Sequence, residues 1–165
     1  MSRIVSVWLK AWPIARLLRS QACVAPADRF DPQFDPDRPL VLVAPDKGGQ
    51  RIVAMNRTAR QGGLTIGDLL SNARSKVLDL QTRDADPAAD AAALYRLALW
   101  AMRYAPRAAS WDEASGADGL FIDITGAAHL FGGEAQLLDD LDRRLRGFGL
   151  VPRLAIAGTP GAAWA

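Results

Sequence analysis

The stretch SWDEASGADGLFIDITGAAHLFGG, residues 110–133, sets an acidic, glycine-flanked turn between two short apolar runs. Arg107 to Trp111 and Leu120 to Thr125 bracket the acidic loop DEASGADG and read as a pair of strands. Downstream, Glu134 to Arg146 carries Leu137, Leu138, Leu141 and Leu145 at helical spacing and ends at Gly147. Arg153 to Ala157 is a further apolar strand. The chain stops as GTPGAAWA opens another helix, so it reads as a piece of a longer sequence. Upstream, Asp86 to Ala105 predicts the longest helix, with Leu94, Leu97, Ala98, Ala101 and Ala105 at three- and four-residue spacing. Lys76 to Leu80 reads as a short strand.

The front of the chain follows the same grammar. Ile4 to Leu9 is a β-branched run suited to a buried strand, and Pro13 opens a helix to about Ser20. After the Pro/Asp-rich connection DRFDPQFDPDRP, PLVLVA meets RIVAMN across PDKGG, a hairpin signal. Thr58 to Gly62 and Ile66 to Ala73 predict two small helices. The whole is α+β, one domain or one lobe of a larger one.

Composition narrows the chemistry. Half of the 165 residues are hydrophobic and 23% are charged, as in ordinary globular domains. The opening lacks the ~18–20 apolar residues of a membrane span and has no signal-peptide pattern, which points to a cytoplasmic protein and no membrane partner. Cys23 is the single cysteine and His129 the single histidine, which excludes an internal disulfide and a Cys/His zinc site. No cofactor is expected. The net charge of +2 conceals an asymmetry: residues 1–78 hold 12 Lys/Arg against 6 Asp/Glu, and residues 79–165 hold 8 against 12. The basic front half suits either a polyanion or a solvated face.

Individual residues carry both a functional and a structural reading. Asp118 is a turn residue or a metal ligand, and Asp112, Glu113, Asp118 and Asp123 are loop charges or an acidic cation site. His129 reads as a half-buried packing residue, since no nucleophile stands near it in sequence. Trp8, Trp12, Trp100, Trp111 and Trp164 belong by default to a core, while Trp8 and Trp12 are the candidates to plug a cleft or anchor a partner. Arg51, Arg57, Arg60, Arg74 and Lys76 are candidate DNA-phosphate contacts or solvated charges.

The acidic turn feeding Ile-Asp-Ile-Thr resembles the palm motif of Y-family translesion polymerases, a Ser-Ile-Asp-Glu turn followed by a strand ending in Asp-hydrophobic-Thr. The variant FIDITGAAHLFGGE, with AIAGTPGAAWA, is similar in particular to the ImuB-type branch of bacterial mutagenesis cassettes. Other segments align in the same order over nearly the whole chain. The alignment puts Asp118 at the family's catalytic aspartate and Gly119 at its glutamate. Ile4 to Lys10 resembles the first palm strand, with Trp8 and Lys10 where active members have a metal-binding Asp-x-Asp. Trp12-Pro13 corresponds to the steric-gate region. RIVAMNRTARQGGL, residues 51–64, resembles the fingers segment; Arg60 fits its arginine and Arg57 replaces its tyrosine. RLAIAGTPGAAWA has no Lys after Arg153, where active members place a basic residue near the phosphates.

The resemblance implies a Y-family palm, a ferredoxin-like mixed sheet with helices, and a small fingers insertion. Residues 1–35 are expected to form the first palm strand and helix, 36–80 the fingers-like segment and 81–165 the truncated palm. It implies no catalytic residue and no bound metal, and an adaptor role in SOS-induced translesion synthesis. The implied partners are a RecA-like ImuA protein, an error-prone replicative-type polymerase and the sliding clamp, the last through regions beyond residue 165. A diverged active polymerase using Asp112, Glu113 and Asp123, or a plain DNA-binding module, are the alternatives.

Overall fold

The computed structural model describes residues 2–23, 35, 37–111 and 118–164. Asp112 and Glu113 lie outside the described residues. In chain order the elements are β1 (Ile4–Leu9), α1 (Trp12–Cys23), β2 (Leu40–Asp46), β3 (Gly49–Met55), α2 (Arg57–Gln61), α3 (Leu70–Lys76), β4 (Gln81–Asp84), α4 (Pro87–Ala101), β5 (Ala108–Ser110), β6 (Gly119–Asp123), α5 (Glu134–Gly147), β7 (Pro152–Ala157) and α6 (Pro160–Trp164). A short 3-10 turn spans Ala128–Phe131. The chain divides into two compact units, Met1–Trp12 with Pro87–Ala165, and Pro13–Asp86.

In the first unit the strands lie in the order β5-β6-β1-β7, every pair antiparallel. Leaving out the inserted Pro13–Asp86, the chain runs β1, α4, β5, β6, α5, β7. This is the split β-α-β-β-α-β arrangement of a ferredoxin-like sheet, its first strand central between the third and the fourth. Alternation along the strands sorts the residues by face. Val5, Val7 and Leu9 of β1, with Leu120 and Ile122 of β6 and the adjoining Ile124, are all at most 2% exposed. Helices α4 and α5 pack against the sheet, contributing Leu94, Leu97, Ala98 and Ala101 and then Leu137, Leu141 and Leu145 to the buried core. Helix α4 ends at Ala101 rather than Ala105, with Tyr104 and Ala105 buried in the turn that follows. The Tyr104 hydroxyl donates to Asp140 Oδ2 at 2.8 Å, and Arg144 Nε donates to the same oxygen at 2.7 Å.

The second unit is built on a three-stranded sheet, β3-β2-β4, in which β2 pairs antiparallel with β3 and parallel with β4. The hairpin turns through Lys47 and Gly48, and Gly48 at φ 99° takes the left-handed backbone that the turn demands. Val41, Val43, Ile52, Met55, Ala59, Leu64, Leu70, Ala73 and Val77 form its core. Asn56 caps α2: its Oδ1 accepts from the Ala59 amide at 2.9 Å and the Leu40 amide at 3.1 Å.

Two expectations shift here. The helix expected at Ile66 to Ala73 forms at Leu70–Lys76, and the strand expected at Lys76 to Leu80 forms at Gln81–Asp84. Lys76 closes a helix, Leu78 is 88% exposed and Asp79 has φ 60°, so the apolar residues at 77–80 do not make a strand. The polar residues that follow pair instead through their main chain, Gln81 N–H donating to Pro39 O and Ala85 N–H to Val43 O, each at 2.8 Å.

Candidate functional site

The face of the first sheet opposite Val5 and Val7 carries different chemistry. Register puts Trp8 opposite Gly119 on one side and Arg153 on the other, and Ser6 opposite Phe121 and Ala155. Phe121, Trp111 just past β5 and Trp164 of α6 complete an aromatic group with Trp8. Trp111 stacks on Trp164 at 4.4 Å between centroids, Trp111 meets Phe121 at 5.1 Å, and Trp8 meets Trp164 edge-on at 6.5 Å. A pocket of about 420 Å³ opens beside them, lined by Ser6, Trp8, Arg153, Leu154, Ala155, Ala163 and Trp164.

Trp8 and Asp118, 110 residues apart in sequence, meet here. Trp8 Nε1–H donates to Asp118 Oδ2 at 2.7 Å, and the Leu9 amide donates to the Asp118 carbonyl at 2.7 Å. The guanidinium carbon of Arg153 lies 5.1 Å from the Trp8 ring centroid. Gly119 is fixed by contact: a Cβ there would sit 2.6 Å from the Val7 carbonyl oxygen and 3.1 Å from the Trp164 ring. Lys10 is exposed just past β1. Asp123 is held below the usual carboxylate range by the Thr125 hydroxyl and amide, with Arg107 adding to the effect. Among the described residues no three of His, Cys, Asp and Glu come together as metal ligands.

Trp12 does not join this face. It is 1% exposed and its Nε1–H donates to the Asp90 carbonyl at 3.0 Å, so it is a core ring with its polar atom satisfied and offers a partner no surface. His129, expected half-buried, is exposed on the 3-10 turn. Trp164, a core ring by default in sequence, instead covers Gly119, and nothing in GTPGAAWA signals it.

The basic candidates all lie in the second unit. Arg51 Nε donates to Asp46 Oδ2 at 2.6 Å and its Nη1 to Gly67 O at 2.7 Å. The Lys47 amide and Arg51 together hold Asp46 below its ordinary range. Lys76 stands 3.5 Å from Asp68. Arg57 and Arg60 on α2 and Arg74 on α3 are exposed, and among the described residues no carboxylate pairs with them.

Comparison with known proteins agrees with this architecture. Over 103 residues the chain is 52% identical to Protein ImuB of Caulobacter vibrioides, in strain NA1000 / CB15N and equally in strain ATCC 19089 / CIP 103742 / CB 15. The match covers 62% of this chain and 22% of those relatives, so the chain spans about a fifth of their length. Among solved structures it superposes on DinB from Sulfolobus solfataricus with a TM-score of 0.68, and on the insertion ternary complex of Dbh DNA polymerase with 0.69. Both are 15% identical, with 98% of this chain and 44% of the other covered. The fold is therefore that of the Y-family polymerases. No helix among the described residues is long and apolar enough to cross a membrane. The impB/mucB/samB family pattern matches residues 21–165, and with the fold and the near relatives in agreement the chain belongs to that family.

Proposed function

We propose that this chain is the palm and fingers part of a non-catalytic, polymerase-shaped adaptor in SOS-induced translesion synthesis. In this reading residues 1–35 and 81–165 belong to the palm and residues 36–80, within the second unit, to the fingers. The protein works in the cytoplasm and brings together an error-prone replicative-type polymerase, the sliding clamp and a RecA-like ImuA partner. The similarity to Protein ImuB supports an ImuB-type role; the three partners are part of the proposal.

The observation that carries the non-catalytic part is the bond between Trp8 and Asp118. Two-metal nucleotidyl transfer needs several carboxylates around two cations about 3.5–4 Å apart. The residues at the corresponding positions do not fit such a pair. Trp8 is an indole, Lys10 an ammonium, and Gly119 cannot take a side chain without displacing the Val7 carbonyl. The one remaining carboxylate already accepts from Trp8. Magnesium requires hard oxygen donors in near-octahedral geometry, and one aspartate supplies too few. Catalysis is replaced by shape: the sheet keeps the polymerase outline, and the exposed Arg57, Arg60 and Arg74 supply charge for phosphate contact.

Primer extension by the full-length protein with magnesium and then manganese, beside Asp118→Ala, tests this. No extension under either metal is expected. Templated addition that falls with Asp118→Ala would overturn the reading and establish a diverged polymerase.

A further inference from the structure

Asp118, Trp8 and Arg153 form a row across three neighbouring chain segments. Trp8 in β1 sits between the residue pair Asp118-Gly119 on one side and Arg153 of β7 on the other. Its N–H points to the carboxylate at 2.7 Å and its ring lies under the guanidinium at 5.1 Å. The two contacts reinforce each other. Donation to a carboxylate raises the electron density of the indole, and a richer ring attracts a cation more strongly. Among the described residues no carboxylate forms an ion pair with Arg153. The pocket lined by Ser6, Ala155 and Trp164 leaves space beside its side chain.

We infer that Arg153 is the resident cation of this site, separated from Asp118 by the Trp8 ring, and that it closes the site to divalent ions independently of the missing carboxylates. The inference rests on the non-catalytic reading above and goes further. It states that returning a carboxylate to position 8 does not by itself make a metal site. With the indole gone, no ring stands between the guanidinium and the carboxylates at positions 8 and 118. The guanidinium fork matches a carboxylate bidentately, without the dehydration a small divalent ion must undergo. Arg153 is a positioning and selectivity residue here, not a catalytic one.

Manganese binding followed by the paramagnetic resonance signal of free Mn²⁺ tests this on the full-length protein and its Trp8→Asp, Trp8→Asp/Arg153→Ser and Trp8→Asp/Arg153→Ser/Asp118→Asn forms. Wild type and Trp8→Asp are expected to bind equally poorly. Arg153 is exposed, and the double variant should bind about tenfold more tightly, as expected when one positive charge is removed from beside a divalent ion; Asp118→Asn should abolish the gain. Trp8→Asp binding as tightly as the double variant, or no gain in the double variant, overturns the proposal alone. Wild-type binding that supports extension overturns the non-catalytic reading instead. Should the Trp8 variants fail to fold, thermal midpoints of Asp118→Asn, Arg153→Ser and their combination serve. Coupling through the ring makes the combined shift smaller than the sum, and additive shifts overturn the row as a unit.

Discussion

The two faces of the first sheet are made by the same strands, residue by residue in alternation, yet they obey different rules. The helix-covered face is aliphatic throughout, with Val5, Val7, Leu9, Leu120 and Ile122 all at most 2% exposed. The open face carries Ser6, Trp8, Phe121 and Arg153, with Trp111 and Trp164 leaning onto it. The first face needs only apolar side chains of roughly the right volume, and many sequences satisfy it. The second depends on individual atoms: an indole N–H, a carboxylate, a guanidinium and the missing Cβ of Gly119. Packing volume governs one side of the sheet and individual atoms the other.

That contrast can be broken or sharpened by measurement. Ile122→Ala, on the covered face, should cost about 3 kcal/mol in chemical denaturation, from lost transfer energy and the cavity left behind; a loss under about 1 kcal/mol would mean that this face tolerates voids. Gly119→Ala should cost about 2 kcal/mol, because its new methyl meets a backbone oxygen that cannot turn aside. Trp8→Phe keeps a ring for Arg153 but removes the donor to Asp118, and a loss of about 1.5 kcal/mol is expected in the same assay.

A smaller effect belongs to the helix pair. Arg144, Tyr104 and Arg143 lower the Asp140 pKa to about 2 from an ordinary 3.8. A carboxylate whose folded pKa is depressed contributes stability above its unfolded value and loses it as pH falls toward the folded one. Asp140→Asn should therefore flatten the acid limb of the stability curve between about pH 4 and pH 2, and an unchanged limb would show that these bonds are not kept in solution. The smallest effect on folding comes from Arg57→Ala with Arg60→Ala, within about 0.5 kcal/mol, since both side chains are exposed and make no described ion pair. If the second unit touches DNA, that pair should instead lower the salt slope of binding by about two.

How legible each part was in the sequence follows from what holds it. β1 is read at its observed bounds and the hairpin at β2–β3 by its turn chemistry, because apolar runs and glycines are local signals. The bounds of β4 are not legible because Gln81 to Asp84 has no apolar pattern; parallel main-chain pairing with β2 makes it a strand, and that partner is remote in sequence. In the sequence Trp8 departs from a family pattern and Asp118 matches it, while the bond that joins them needs β1 and β6 side by side. Trp12 was misassigned for a related reason: whether a ring near the end of a strand faces core or cleft depends on the backbone turn at Ala11, with φ 54°, which composition does not reveal.

The stacked pair Trp111 and Trp164 also has an optical consequence. Two indoles 4.4 Å apart and 28° from coplanar couple electronically. The open face therefore carries its own chromophore, an indole exciton couplet that reports whether α6 lies on the sheet. Any partner, nucleic acid or substitution that lifts Trp164 from Trp111 should remove that couplet from the circular dichroism spectrum without loss of the strands and helices.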